Sequence, residues 1–311
     1  MNSPIHSHAS RSLSRAVLSL ALAVLSALAL SRTAHAQDRP ASPEAQATYS
    51  DIEKTLGLVP TFMKAFPEEA IGPAWDELKG VELSSASAIP PKYKELIGLA
   101  VAAQIPCRYC SYFHSKVAGL GGAEDRELKE AVVMAAITRQ WSTVLNGMQT
   151  DEGQFRAELG KVLDYVKKPH APPPAIAVTD APSAYRDIEA TLGMVPSFFR
   201  QFPEAGIAGA WREFKTVQLN PRSALPGKYK ELIGLAVASQ IPCRFCIVFH
   251  TEVARLDGAS EAEIREAVAM AAVTRHWSTF LNGTLTDETV FRRETDQAVA
   301  NVRRKVQVAA R

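Results

Sequence analysis

Only four cysteines occur in the 311 residues, and all of them sit in two Cys-x-x-Cys pairs, Cys107/Cys110 and Cys243/Cys246. Each half of the chain therefore has two sulfur ligands at most. A zinc site there would need His114 and then Glu95 or water to complete four-fold coordination. Neither pair has histidine directly after its second cysteine, where Ser111 and Ile247 stand, so covalent haem attachment is excluded. Charge of one sign is also missing: the formal net charge is +2, with no long basic block or basic–aromatic stripe. Nucleic acid is not expected as a partner. Beyond the N-terminus no apolar run approaches the ~20 residues that span a bilayer, so a soluble chain without stable membrane insertion is expected. No segment alternates convincingly between apolar and polar residues, which points to an all-α fold.

The N-terminus reads as an export signal. Arg11 and Arg15 precede an apolar run over residues 16–30, and Ala34-His35-Ala36 offers small residues for cleavage after Ala36. No twin-arginine pair is present, so the general secretion route to a periplasmic or extracellular space is expected, an oxidising place where paired cysteines persist.

An internal repeat decides the architecture. Cys243 follows Cys107 by 136 positions, as Trp211 follows Trp75 and Trp277 follows Trp141; residues 49–155 align on 185–291 without a gap. Repeats of this kind are paired structural units. The expected division is a signal at 1–36, a first domain at 37–166, a proline-rich linker at 167–182 and a second domain at 183–311, the two forming a pseudo-symmetric intrachain pair. Pairing of whole chains is also allowed. Within each copy the punctuation is helical. Ser50 and Glu53 have capping-box spacing, Gly57 and Pro60 end that helix, Pro67 opens a second, and Pro91 opens a third that stops before Pro106. A helix carrying the cysteines runs to Gly121-Gly122, and a long one runs from about residue 123 to Asn146-Gly147.

The two copies of the cysteine stretch, Ile105-Pro106-Cys107-Arg108-Tyr109-Cys110 and Ile241-Pro242-Cys243-Arg244-Phe245-Cys246, are followed by His114 and His250. Offsets of four and seven place histidine and both sulfurs along one helical face. With Pro106 at the first helical position, Cys107 falls in the first turn, where free N–H groups favour a thiolate. A reactive dithiol is the leading reading. A structural disulfide closes too short a loop to stabilise much; a metal site is the third reading. His114 and His250 can accept a thiol proton. Glu95 and Glu231 precede the first cysteines by twelve positions, beside strongly apolar helices. A glutamate there either complements a helix dipole or, partly buried, orients the imidazole and relays a proton.

The pattern Glu-x11-Cys-x2-Cys-x3-His, on successive helices of an all-α unit, resembles the AhpD-like members of the carboxymuconolactone decarboxylase family. The resemblance covers about residues 85–150 and 221–286. It implies two tandem AhpD-like helical bundles and alkylhydroperoxidase chemistry: a dithiol reduces a hydroperoxide, becomes a disulfide, and is recharged by a thiol reductant of unstated identity. It further implies catalytic roles for Glu95, Cys107, Cys110 and His114, and for Glu231, Cys243, Cys246 and His250, with no cofactor and no metal. Two features depart from the pattern. Tyr109 and Phe245 stand where the type enzyme has a further histidine, and an exported chain would not meet the lipoyl partner of the cytosolic relatives. Decarboxylases of the same family generally lack the cysteine pair, which argues against lyase chemistry. A thiol–disulfide oxidoreductase and a metal-binding or purely structural helical scaffold are the competing readings.

Overall fold

The computed structural model describes residues 41–169 and 171–309; the export signal expected at 1–36 lies outside them. Among the described residues there are fourteen α-helices and no strand, seven in each copy. The first copy contains α1 (Pro43–Leu56), α2 (Thr61–Lys64), α3 (Glu68–Leu78), α4 (Pro91–Gln104), α5 (Arg108–Leu120), α6 (Asp125–Gly147) and α7 (Glu152–Val166). The second contains α8 (Ala181–Leu192), α9 (Ser197–Gln201), α10 (Glu204–Val217), α11 (Gly227–Gln240), α12 (Arg244–Leu256), α13 (Glu261–Gly283) and α14 (Glu288–Ala309). From Thr48 on, the described residues form one compact unit. Among the described residues no helix is long and apolar enough to cross a membrane.

Most helix ends fall where glycine and proline placed them. Gly57 and Gly122 take positive φ just past α1 and α5, a conformation that costs glycine nothing. Ser260 and Glu263 form the expected capping box of α13. Two expectations need correction. Ser50 and Glu53 lie inside α1, which begins seven residues earlier at Pro43, so they cap nothing. Pro106 does not open the cysteine helix either: α5 starts at Arg108, and Cys107 is its N-cap, at φ −87° and ψ 101°. A proline N–H is missing anyway, but a cap residue can also offer a side-chain acceptor to the first turn, and Cys107 does so.

The core explains why α4 and α11 read as apolar on nearly every face. Leu96, Ile97, Ala100 and Val101 are fully buried, and so are Leu232, Ile233, Ala236 and Val237. All eight belong to one apolar cluster that also takes Met134 from α6 and Met270 from α13. The two copies thus share a core rather than each closing its own. The rings of Tyr93 and Tyr229 stack across the pseudo-symmetry axis, centroids 3.5 Å apart and 9° from parallel. The four tryptophans are buried, as expected of core residues.

The outer helices cross over. Helix α14 of the second copy lies along α5 of the first, and α7 of the first lies against α12 of the second. Glu294 on α14 accepts hydrogen bonds from the Thr61 amide (2.8 Å) and hydroxyl (2.6 Å); Glu158 on α7 does the same for Ser197, at 2.8 and 2.9 Å. Each dithiol helix is therefore covered by a helix from the opposite copy.

Candidate functional site

The local sequence builds the dithiol as a helix cap. The Cys107 Sγ accepts the Cys110 amide at 3.2 Å, taking up one of the unpaired N–H groups of the first turn. The second copy repeats this at 3.3 Å between Cys246 N and Cys243 Sγ. Cys243 and Cys246 are joined as a disulfide, whereas Cys107 and Cys110 are free thiols.

One and two turns further along α5 and α12 come the histidines. His114 Nδ1 lies 2.8 Å from Glu95 Oε2, and His250 Nδ1 lies 2.7 Å from Glu231 Oε2. All four side chains are buried. The imidazoles fit because α4 and α11 carry glycine opposite them: a Cβ at Gly98 or Gly234 would run into the ring. Gly98→Ala should therefore expel His114 from its contact with Glu95 and lower turnover at the first site by about 10²-fold or more, the scale of losing a positioned acid–base group. Site-resolved kinetics in a background with Cys243 and Cys246 changed to serine would read the loss.

A third carboxylate, not singled out from the sequence, joins the first site. Helix α3 runs on into a π-helical turn, Lys79–Leu83, that carries Glu82 inward. Such turns often mark functional positions. Glu82 Oε1 lies 3.6 Å from His114 Nδ1 and has no hydrogen-bond partner. The buried Lys94 holds the turn in place, donating to the carbonyls of Val81 (3.0 Å) and Ser84 (2.7 Å). In the second copy the matching residue is Gln218, whose Nε2 donates to Glu231 Oε1 at 3.0 Å. The copies thus diverge inside the site. His276, which stands where the first copy has Gln140, is half-exposed and stacks on Trp277.

Further residues come from the opposite copy. Asn282 Nδ2 on α13 approaches Cys107 Sγ at 3.6 Å, and Thr274 Oγ1 lies 3.4 Å from His114 Nε2. Reciprocally, Asn146 on α6 approaches Cys243 Sγ at 3.6 Å and Thr138 lies 3.3 Å from His250 Nε2. With Ser142 and Ser278 these form a Thr-x3-Ser-x3-Asn stripe on one face of each long helix. That polar stripe on an otherwise packed helix was the available sequence signal.

The electrostatics divide the roles. The Cys107 thiol is lowered to about 6: the Cys110 thiol hydrogen bond leads, and Ser278, the Cys110 amide and Asn282 add to it against the cost of burial. Cys110 is pushed far up, first by that same hydrogen bond and then by burial. The pair thus shares one proton, carried by Cys110, with the negative charge on Cys107. Burial raises both Glu82 and Glu95 to about 8, with Glu95 adding repulsion at Glu82, and burial lowers His114. At neutral pH this corner holds carboxylic acids around a neutral imidazole.

These carboxyls make the fold sensitive to pH. Below the ordinary carboxyl value of 4.5 the folded and unfolded chains are equally protonated and the stability is fully present. As pH rises toward 8 the unfolded chain releases protons that the fold retains, so stability falls across that window. Urea midpoints at about pH 5 and about pH 8 should drop for the native chain and drop less for Glu82→Gln.

Two spaces flank the first dithiol. An inner cavity of about 80 Å³ is lined by Cys110, His114, Glu82 and Thr274 together with apolar side chains such as Phe113 and Trp277. An open outer groove of about 350 Å³ is lined by Cys107, Arg108, Ser111, Tyr112 and Arg292. Glu82, Glu95 and His114 also place one ligand atom each within 4.8 Å of one another, a set that could hold a divalent cation. The second copy, with Gln218 in place of Glu82, offers one anionic ligand fewer.

Comparison with known proteins fits this geometry. No curated protein matches the sequence at a significant level. One solved structure, a candidate gamma-carboxymuconolactone decarboxylase subunit from Burkholderia xenovorans LB400, aligns with a TM-score of 0.54 over 82% of this chain and 100% of its own. At 16% identity that likeness carries the fold alone. The sequence pattern of the carboxymuconolactone decarboxylase family matches twice, at residues 69–150 and 205–285. These matches span each dithiol helix with the helices before and after it, and together cover more than half of the 311 residues. The chain belongs to the carboxymuconolactone decarboxylase family, in tandem duplicate.

Proposed function

We propose that this chain is an exported dithiol peroxidase, and that in each copy the cysteine pair reduces a hydroperoxide with the acid–imidazole pair as proton donor. The observation that supports the reading most is geometric: one sulfur of the pair, Cys110, faces a cavity walled by a buried histidine and carboxyl, with the Cys107 sulfur at its side to share its proton. When that proton moves from Cys110 to Cys107, the negative charge moves to the sulfur facing the cavity. The Cys110 thiolate attacks the terminal oxygen of R–O–O–H, the O–O bond breaks, and the leaving alkoxide takes a proton from the Glu95–His114 pair to become R–OH. The sulfenic acid on Cys110 then condenses with the Cys107 thiol, forming a disulfide and releasing water. One hydroperoxide consumes two thiols and yields one alcohol and one water. Because Glu95 rests protonated, its first act is to give a proton, not to draw one from cysteine. A thiol donor reopens the disulfide through the outer groove at Cys107, where Arg108 and Arg292 both pair with Glu288.

The same groove favours a second reading, thiol–disulfide exchange on other proteins, since the buried Cys107 is the sulfur that lines it. The family name raises a third, decarboxylation of a lactone acid. Hydroperoxide consumption with dithiothreitol as reductant, insulin reduction, and carboxymuconolactone turnover, run side by side, separate them. Peroxide consumption that disappears when all four cysteines are changed to serine is expected. Insulin reduction or lactone turnover without peroxide consumption would overturn the peroxidase reading.

A further inference from the structure

The two sites share a frame but differ in the space beside it. Beside Glu231 of the second acid–imidazole pair lies a cavity of about 700 Å³, walled by Phe155, Phe198, Phe199, Phe214 and Phe249; Gln218, Lys228 and Lys230 also line it, whereas His250 and the two sulfurs lie behind Glu231 and outside the lining. The space at the corresponding positions of the first copy, walled by Phe291, Phe62, Met63, Leu78 and Phe113, measures about 80 Å³. Smaller side chains are not the reason, because Phe199 and Phe214 replace Met63 and Leu78. The larger cavity instead runs on past Gln218 to Pro221, Pro226, Gly227, Leu256 and Asp257. The counterparts of those residues, Ser85, Pro90, Pro91, Leu120 and Gly121, do not line the smaller space. A second observation points to an occupant. Thr191 lines the large cavity and its buried hydroxyl has no partner, whereas its counterpart Thr55 donates to the Asp51 carbonyl at 2.8 Å.

Size decides what each can hold. Pockets for whole organic ligands run to ~300–1,000 Å³ and are mainly apolar, as the second is. A space of 80 Å³ takes a few water-sized molecules but no long apolar chain, the scale of hydrogen peroxide. We propose that the two sites of one chain take different substrates: hydrogen peroxide in the first copy, and in the second an organic hydroperoxide whose long apolar chain fills the large cavity while its peroxide end passes Gln218 and Glu231 to reach Cys246. This rests on the peroxidase reading and keeps its stoichiometry, with R as hydrogen in the first site and as the apolar body in the second. The unpartnered Thr191 hydroxyl would meet a polar group of the bound chain.

The test uses two full-length variants, Cys107→Ser/Cys110→Ser with only the second site alive and Cys243→Ser/Cys246→Ser with only the first. Each is assayed with hydrogen peroxide and with linoleic acid hydroperoxide. The second site should favour the lipid peroxide over hydrogen peroxide, in kcat/KM, by at least about tenfold more than the first does. Hydroxylinoleic acid, which cannot be reduced, should bind once per chain by calorimetry. Leu159→Trp or Val162→Trp, either of which fills the cavity from α7, should abolish that binding while leaving hydrogen peroxide turnover at the first site unchanged. Preference ratios equal in the two variants to within about threefold, or binding of the alcohol at both sites or neither, would overturn the proposal. If neither variant consumes any peroxide yet the alcohol binds once and either tryptophan blocks it, the peroxidase reading fails and the apolar site stands.

Discussion

Changing Glu95 and Glu231 together to glutamine should lower hydroperoxide turnover by about 10²–10⁴-fold, the usual worth of a positioned proton donor. The same change should make the protein more stable at neutral pH. Glutamine preserves the shape of the side chain and can still donate to the imidazole, but it has no proton to give. Because burial holds Glu95 near 8, keeping its carboxyl in the fold at pH 7 costs up to about 3 kcal/mol relative to the unfolded chain, and a neutral amide avoids that cost. Activity and stability thus move in opposite directions, which loss of folding cannot imitate. Steady-state peroxide consumption and urea denaturation on the same preparation check both. Turnover retained within about threefold would remove the two glutamates from the proton path.

The second large effect crosses between the copies. Asn282→Leu, made in the second copy, should slow alkylation of Cys107 in the first while leaving the reduced Cys243 untouched; Asn146→Leu should do the reverse. A hydrogen bond to a charged group is worth about 1.5–3 kcal/mol, and the 3.6 Å approach argues for the lower end. That corresponds to a rise of about one unit in the Cys107 pKa, from about 6, and to an about fivefold slower reaction with iodoacetamide at pH 6, as the thiolate fraction falls from about one half to about one tenth. Peptide mapping of the alkylated cysteines, with each disulfide first reduced, reads the two sites separately. An effect on the dithiol of the same copy would mean that the long helices do not exchange.

Such exchange also explains what the sequence could reveal. Glu95, Cys107, Cys110 and His114 were legible because they lie within twenty residues of one another on two successive helices, where helical spacing translates directly into proximity. The helices themselves were legible from Pro67, Pro91, Gly57 and Gly121-Gly122. Cys107 was misplaced by one step, since a cysteine that caps with sulfur looks the same in sequence as one in the first turn. Glu82 was hidden for a different reason. It reads as one polar residue between Val81 and Leu83 just past α3, and only the π-helical turn swings it toward His114. Thr274, Ser278 and Asn282 lie 160 to 175 positions from the groups they touch, a relation made by the shared core and not by any local pattern. The size of the cavity beside Gln218 was equally out of reach, because its larger residues suggest a smaller space.

The most direct measurement is a single turnover on the fully reduced protein. One equivalent of hydrogen peroxide is added, thiols are counted, and a sulfenate-trapping reagent is mapped cysteine by cysteine, in the native chain and with Cys107 changed to serine. Loss of two thiols per peroxide, a Cys107–Cys110 disulfide in the native chain, and a sulfenic acid on Cys110 once its partner is gone are the expected results. Peroxide that persists beside unreacted thiols, or a sulfenic acid that accumulates on Cys107 while Cys110 stays reduced, would contradict this mechanism.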